Sequence, residues 1–325
     1  MQRRQLLSAT LTLAALPGMQ AIAQTGGSGK PVRVVVSAAA GSTPDVVARL
    51  LGQKMSEGLN GTPIVIDNRP GAFSAPAVDN VAHSLADGAT ILFTDNTTWA
   101  ITPFVTARPP FDVLRDLQPI AQVLLAPGFL VVGTKVPANN INELVQYAKA
   151  NPGKLTYGSP GNGSTHQLSA ELMKQVMGID ILHVPYKGVV QMATAIMAGE
   201  IDMAFMGYTA AIPAVQKGSA RIFGVSTAQR IPSLPNIPTL QEAGIKGLPI
   251  STSMGFLGPV NLPRDLNIKF VKAITVAVQS PEVVAKFQDL GLVPAMQSGD
   301  AFTASIRSDM VRYGDIIKRA NIKAE

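Results

Sequence analysis

Two stretches set glycines and small hydroxyl residues where an apolar strand runs into a helix. The first is Ser37-Ala-Ala-Ala-Gly-Ser-Thr-Pro-Asp45, after the β-type run Val32 to Val36. The second is Gly158-Ser-Pro-Gly-Asn-Gly-Ser-Thr-His166, after Lys154-Leu-Thr-Tyr157. Neither contains Lys or Arg. Unshielded backbone N–H groups at a helix N-terminus bind an anion by hydrogen bonding and through the helix dipole, without a cationic side chain. Each hydrogen bond to a charged acceptor contributes roughly 1.5–3 kcal/mol. Two such loops facing each other across a cleft would cradle a carboxylate. The candidate contacts are Ala40, Gly41, Ser42, Thr43 and Asp45 in the first loop. In the second they are Ser159, Asn162, Gly163, Ser164, Thr165 and His166. Thr43 suits the N-cap, Pro44 the first helical position and Asp45 the first turn. An ordinary capped helix would explain those three residues equally well.

Other chemistries fit poorly. The second loop has the glycine spacing of a P-loop, but Ser164 stands where the phosphate-binding lysine belongs. His166 adjoins Ser164 and Thr165, yet neighbours at a helix start point in different directions and no G-x-S-x-G elbow is present. A hydrolase using His166 stays open as a minor alternative. The three histidines show no metal-ligand spacing, and the absence of cysteine excludes disulfides, cysteine nucleophiles and Cys-ligated zinc. Neither a cofactor nor a metal is expected.

The elements that must position the loops alternate. Apolar runs at 32–36, 62–67, 90–94, 154–157, 181–184, 201–205 and 221–226 read as strands, with amphipathic helical patterns between them. That order argues for parallel α/β sheets, whose ligands gather at the carboxyl ends of strands. Asn96 and Thr97 follow the strand 90–94, and Met206 and Gly207 follow 201–205, so they join the candidate contacts. Runs at 120–125 and 129–132, broken by Pro127-Gly128, suggest a crossing between two domains. Ser253 to Leu257 suits the return crossing. Helical patterns at 266–279, 282–290 and 300–320 are best placed back on the first domain.

A chain of 325 residues with 46% hydrophobic and 15% charged residues holds enough apolar material for two cores. Arg3 and Arg4, the apolar stretch Leu6 to Leu16 and Ala21-Ile22-Ala23 read as an export signal, twin-arginine-like in its first residues. Without those 23 residues the chain has 25 basic against 21 acidic residues, scattered with no Lys/Arg run. Nucleic-acid binding has little support.

Six blocks in order make the chain resemble the Bug-type extracytoplasmic solute receptors of tripartite tricarboxylate transporters. They are Ala40-Gly-Ser-Thr-Pro-Asp-Val-Val-Ala-Arg49, Asp67-Asn-Arg-Pro-Gly71, Leu155-Thr-Tyr-Gly-Ser-Pro-Gly-Asn-Gly-Ser-Thr-His166, His183-Val-Pro-Tyr-Lys-Gly188, Gly199-Glu-Ile-Asp202 and Leu234-Pro-Asn-Ile-Pro-Thr239. The resemblance implies an α/β, two-domain periplasmic binding protein of the type II Venus-flytrap kind, with two crossing strands as hinge. It implies a signal peptide over 1–23, a first domain of 31–125 plus 252–325 and a second of 126–251, hinged near Leu124–Gly128 and Met254–Leu257. It further implies a monomer, not an enzyme, that holds a small carboxylate with residues 40–45 and 159–166 and serves membrane permease subunits from the periplasm. A ligand sensor that signals to a membrane protein is the alternative use of the same module. Two departures stand out: Ser42 replaces the family's second glycine, and Met206 stands where many relatives carry an acid. The missing acid argues against a ligand amino group at that position.

Overall fold

The computed structural model describes residues 30–246 and 250–323, so the expected signal segment 1–23 lies outside the described residues. Eleven strands form two sheets among those residues. The first sheet contains β1 (Val32–Val36), β2 (Ile64–Asn68), β3 (Thr90–Asp95), β4 (Leu117–Pro127), β10 (Ser251–Pro259) and β11 (Val293–Ser298), in the order β11-β4-β10-β3-β1-β2. The second contains β5 (Phe129–Gly133), β6 (Thr156–Ser159), β7 (Leu182–Pro185), β8 (Met203–Met206) and β9 (Ala220–Val225), in the order β7-β6-β8-β5-β9.

Both sheets are covered on two faces, which is why their strands read as unbroken apolar runs. Val34 and Val36 enter one core cluster while Val35, pointing the opposite way, enters another. In the second sheet Leu130 and Val132 face one cluster and Phe129 and Val131 the other. The helix Thr43–Gly58 buries Val47, Leu51 and Met55, a stripe at helical spacing, against Phe270, Ala273 and Ile274 of the helix Arg264–Gln279. The opposite face is closed by the helix Gly299–Ala320 through Phe302, Ile306 and Tyr313. Trp99 belongs to this core: its indole donates to Asp309 at 3.2 Å and its ring meets Phe302 edge-on.

The sheets are mixed rather than parallel throughout. β1 pairs in parallel with β2 and β3, and β6 with β7 and β8, whereas β4, β5, β10 and β11 make antiparallel ladders. The chain passes from one sheet to the other at Gly128, between β4 and β5. The expected return crossing at Ser253–Leu257 lies inside β10, paired on both sides with β3 and β4, so the return precedes Ser251.

Candidate functional site

The parallel strands of the two sheets aim their carboxyl ends at one cavity of about 670 Å³. Helix N-termini enter it from either side, the helix Thr43–Gly58 after β1 and the helix Thr165–Met177 after β6. Of the residues singled out in the sequence, Gly41, Ser42, Thr43, Thr97, Asn162, Gly163, Ser164, Thr165, His166 and Gly207 line its wall.

The two loops share a local design, Gly-Ser-Thr-x-(Asp/Gln), at 41–45 and 163–167. Gly41 and Gly163 have φ of 79° and 75°, a left-handed conformation that glycine adopts without strain. The Gly41 N–H donates to Asp45 Oδ2 at 2.8 Å, and the Gly163 N–H donates to Gln167 Oε1 at 2.8 Å. Each serine N–H turns back to a carbonyl three residues earlier, Ser42 to Ala39 and Ser164 to Gly161. The next N–H groups, those of Thr43, Thr165 and His166, have no acceptor among the described residues, as the first turn of a helix requires. They belong to the cavity wall and can meet an anion there.

Five expected contacts sit elsewhere, each for a physical reason. Ala40 is exposed outside the cavity. Asp45 is turned into its own loop, where its carboxylate holds Gly41 N and Arg49, 2.9 Å from Oδ1. The Arg49 hydrogen bond is the main force keeping its carboxyl below the usual range. Asn96 is buried and donates to Ser251 O and to the Tyr313 hydroxyl, both at 2.9 Å. Ser159 braces its loop: its hydroxyl lies 2.7 Å from His183 Nε2 and 3.0 Å from Gly161 O. Met206 is fully buried among apolar side chains of the second sheet. Thr43 is not the N-cap either; Ser42 holds that position, without a side-chain cap, while its hydroxyl donates to Ala39 O at 2.6 Å.

Loop 163–167 rests on His183, whose ring stacks on Tyr157 and whose Nδ1 is 3.3 Å from Gln167 Nε2. Loop 41–45 rests on Asn68, which accepts from Arg49 at 3.2 Å and donates to Ala38 O at 3.0 Å. The Asp67–Gly71 and His183–Gly188 blocks thus hold the two loops from behind.

The wall also contains residues outside the expected set, among them Asp95, Phe73, Phe205, Tyr208 and Thr252. Phe73 has φ of 52°, and such strain in a bulky residue collects at sites. Asp95 left a readable signal, an acid closing an otherwise buried apolar strand. It is the only Asp, Glu, Lys or Arg among the described wall residues. Burial raises its carboxyl pKa. His166 contributes no charge, because burial pushes its pKa down to about 4, and its Nδ1 lacks a partner. An imidazole with no group to orient it is poorly placed as a catalytic base.

Residues 47–322 match the model of the tripartite tricarboxylate transporter family receptor. The chain belongs to this receptor family. A UPF0065 protein of Bordetella pertussis is 33% identical over 296 residues, 91% of either chain. Among solved structures, R. palustris Rpa4515 with adipate is 29% identical at a TM-score of 0.80, covering 90% of this chain and 98% of its own. The periplasmic binding protein BugD is 26% identical at a TM-score of 0.76, covering 91% and 99%. The two-domain binding-protein fold follows from these likenesses, and the receptor is not an enzyme. The hydrolase alternative for His166 falls with it.

Proposed function

We propose that this receptor is exported to the periplasm by residues 1–23, captures a small carboxylate in the cavity between its sheets and delivers it to membrane permease subunits. Its rigid bodies are the first sheet with its helices, up to Pro127 and again from Ser251, and the second sheet with its helices in between, and it acts as a monomer. The Thr43 amide on one side and the Thr165 and His166 amides on the other grip the carboxylate, with Gly41, Ser42, Thr97, Asn162, Gly163, Ser164 and Gly207 completing the wall. The observation that supports this most strongly is the repeated Gly-Ser-Thr turn, which leaves the Thr43, Thr165 and His166 amides without acceptors at one cavity. The adipate-bound neighbour adds support for the ligand class.

Ligand that binds only the folded state stabilises it, by about 2.7 kcal/mol at a hundredfold excess over Kd. In a thermal-shift series across organic acids, at least one carboxylate raises Tm and its neutral amide does not. A series in which no acid moves Tm overturns the proposal.

A further inference from the structure

The cavity that presents free amides to an anion also contains a carboxylate of its own. Asp95 closes β3 in register with Met254 of β10 and lies partly open on the cavity wall. Its Oδ1 accepts the Thr97 N–H at 2.9 Å, and Thr97 is the only residue among those described that donates to it. The acid's surroundings supply no counter-charge. The described wall residues include no Lys or Arg, and His166 on the same wall is neutral. The Tyr313 hydroxyl behind it is committed to Ser251 O at 3.0 Å. Asp309, on the same helix, pairs with Arg312.

A carboxylate set in a poorly solvated wall without a counter-charge is costly, and a ligand that brings a donor removes that cost. A second carboxylate beside it would be repelled. The same wall also carries apolar side chains, among them Phe73, Phe205, Val190 and Leu292. The volume of about 670 Å³ suits a ligand with two polar ends and an apolar spacer.

Resting on the carboxylate-receptor reading, we infer that Asp95 is a specificity residue. It selects a solute that carries a nitrogen donor, an ammonium or a polarised N–H, at the end opposite its carboxylate. Met206, where many relatives carry an acid, lies in the core and so does not bear on a ligand amino group, and Asp95 supplies an acid from the facing sheet.

Two matched trios of probes test this by isothermal titration on the mature protein. The first is caproate, adipate and ε-aminocaproate; the second is benzoate, terephthalate and para-aminomethylbenzoate. The amino member of at least one trio binds about tenfold tighter than its plain and diacid counterparts, a gap of about 1.4 kcal/mol. Asp95→Asn, with its Tm checked, erases that preference. A diacid that binds tightest overturns the inference, as does an amino preference that survives in Asp95→Asn. The ranking in the unaltered protein decides the matter even if the variant folds badly. Acids that bind with no preference for either end defeat only this inference, whereas a complete lack of acid binding defeats the receptor reading with it.

Discussion

At the residue scale, the proposed anion site is built from groups denied other partners. Asp45 and Gln167 occupy the glycine N–H groups, the serines fold back on their own loops, and the Thr43, Thr165 and His166 amides are what remains. His166 lines the wall as a neutral imidazole. Its pKa of about 4 also makes a stability statement. Between about pH 6.5 and 4 the unfolded chain protonates this histidine and the folded chain does not, so stability falls as pH falls through that window. Burial lowers the His183 pKa as well, and its contribution has the same sign. In ligand-free protein, His166→Gln therefore loses less Tm than the parent between pH 7 and pH 5, with a residual slope from His183. Parallel pH profiles for the two proteins would refute this account of His166.

At the element scale, two strand-loop-helix units that look alike in sequence differ in how their helices are capped. Ser164 accepts from Gln167 N at 3.3 Å as the N-cap of its helix, while Ser42 makes no such bond. Removing a serine cap costs about 0.5–2 kcal/mol. Ser164→Ala should therefore lower the unfolding free energy by about 1 kcal/mol in a denaturant titration, and Ser42→Ala by a few tenths. Equal losses would contradict the capping assignment. This contrast was not readable beforehand, because capping depends on which way a hydroxyl rotates. The apolar runs and the loops between them were readable, since buried strands keep their pattern wherever they pair. β11 was missed for a definite reason. It is a partly exposed edge strand, interrupted by Pro294 and by a register shift, and it gains order only by pairing with β4. The antiparallel placement of β10 was hidden for a similar reason, because pairing direction is a tertiary fact. Asn96 and Ser159 have the composition of ligand contacts, yet their side chains turn to the protein's own carbonyl, hydroxyl and imidazole partners. A residue type at a strand end does not say which way it faces.

At the scale of the whole molecule, the site exists only while the two sheets stay close, because each supplies one of the two loops. The lobes already touch. Thr165 and Thr252, from opposite sides, place their hydroxyl oxygens 3.0 Å apart, and Leu168 packs among the core residues of the first sheet. A ligand held from both sides binds the closed arrangement alone, so its apparent affinity is the closed-state affinity scaled by the closed population. Locking that arrangement has two opposed consequences: no free energy is then spent on closure, and the ligand's path in or out is shut. Since the chain has no cysteine, the double variant Thr165→Cys, Thr252→Cys offers a single thiol pair. Oxidised with the organic acid that raises Tm most, it should keep that ligand through dialysis, as a native mass measurement would show. Oxidised while empty, it should fail to take the same acid up, and reduction should restore exchange in both samples. Free exchange through the closed disulfide would mean that ligand reaches the loops without the lobes parting, and the two-body mechanism would have to be abandoned.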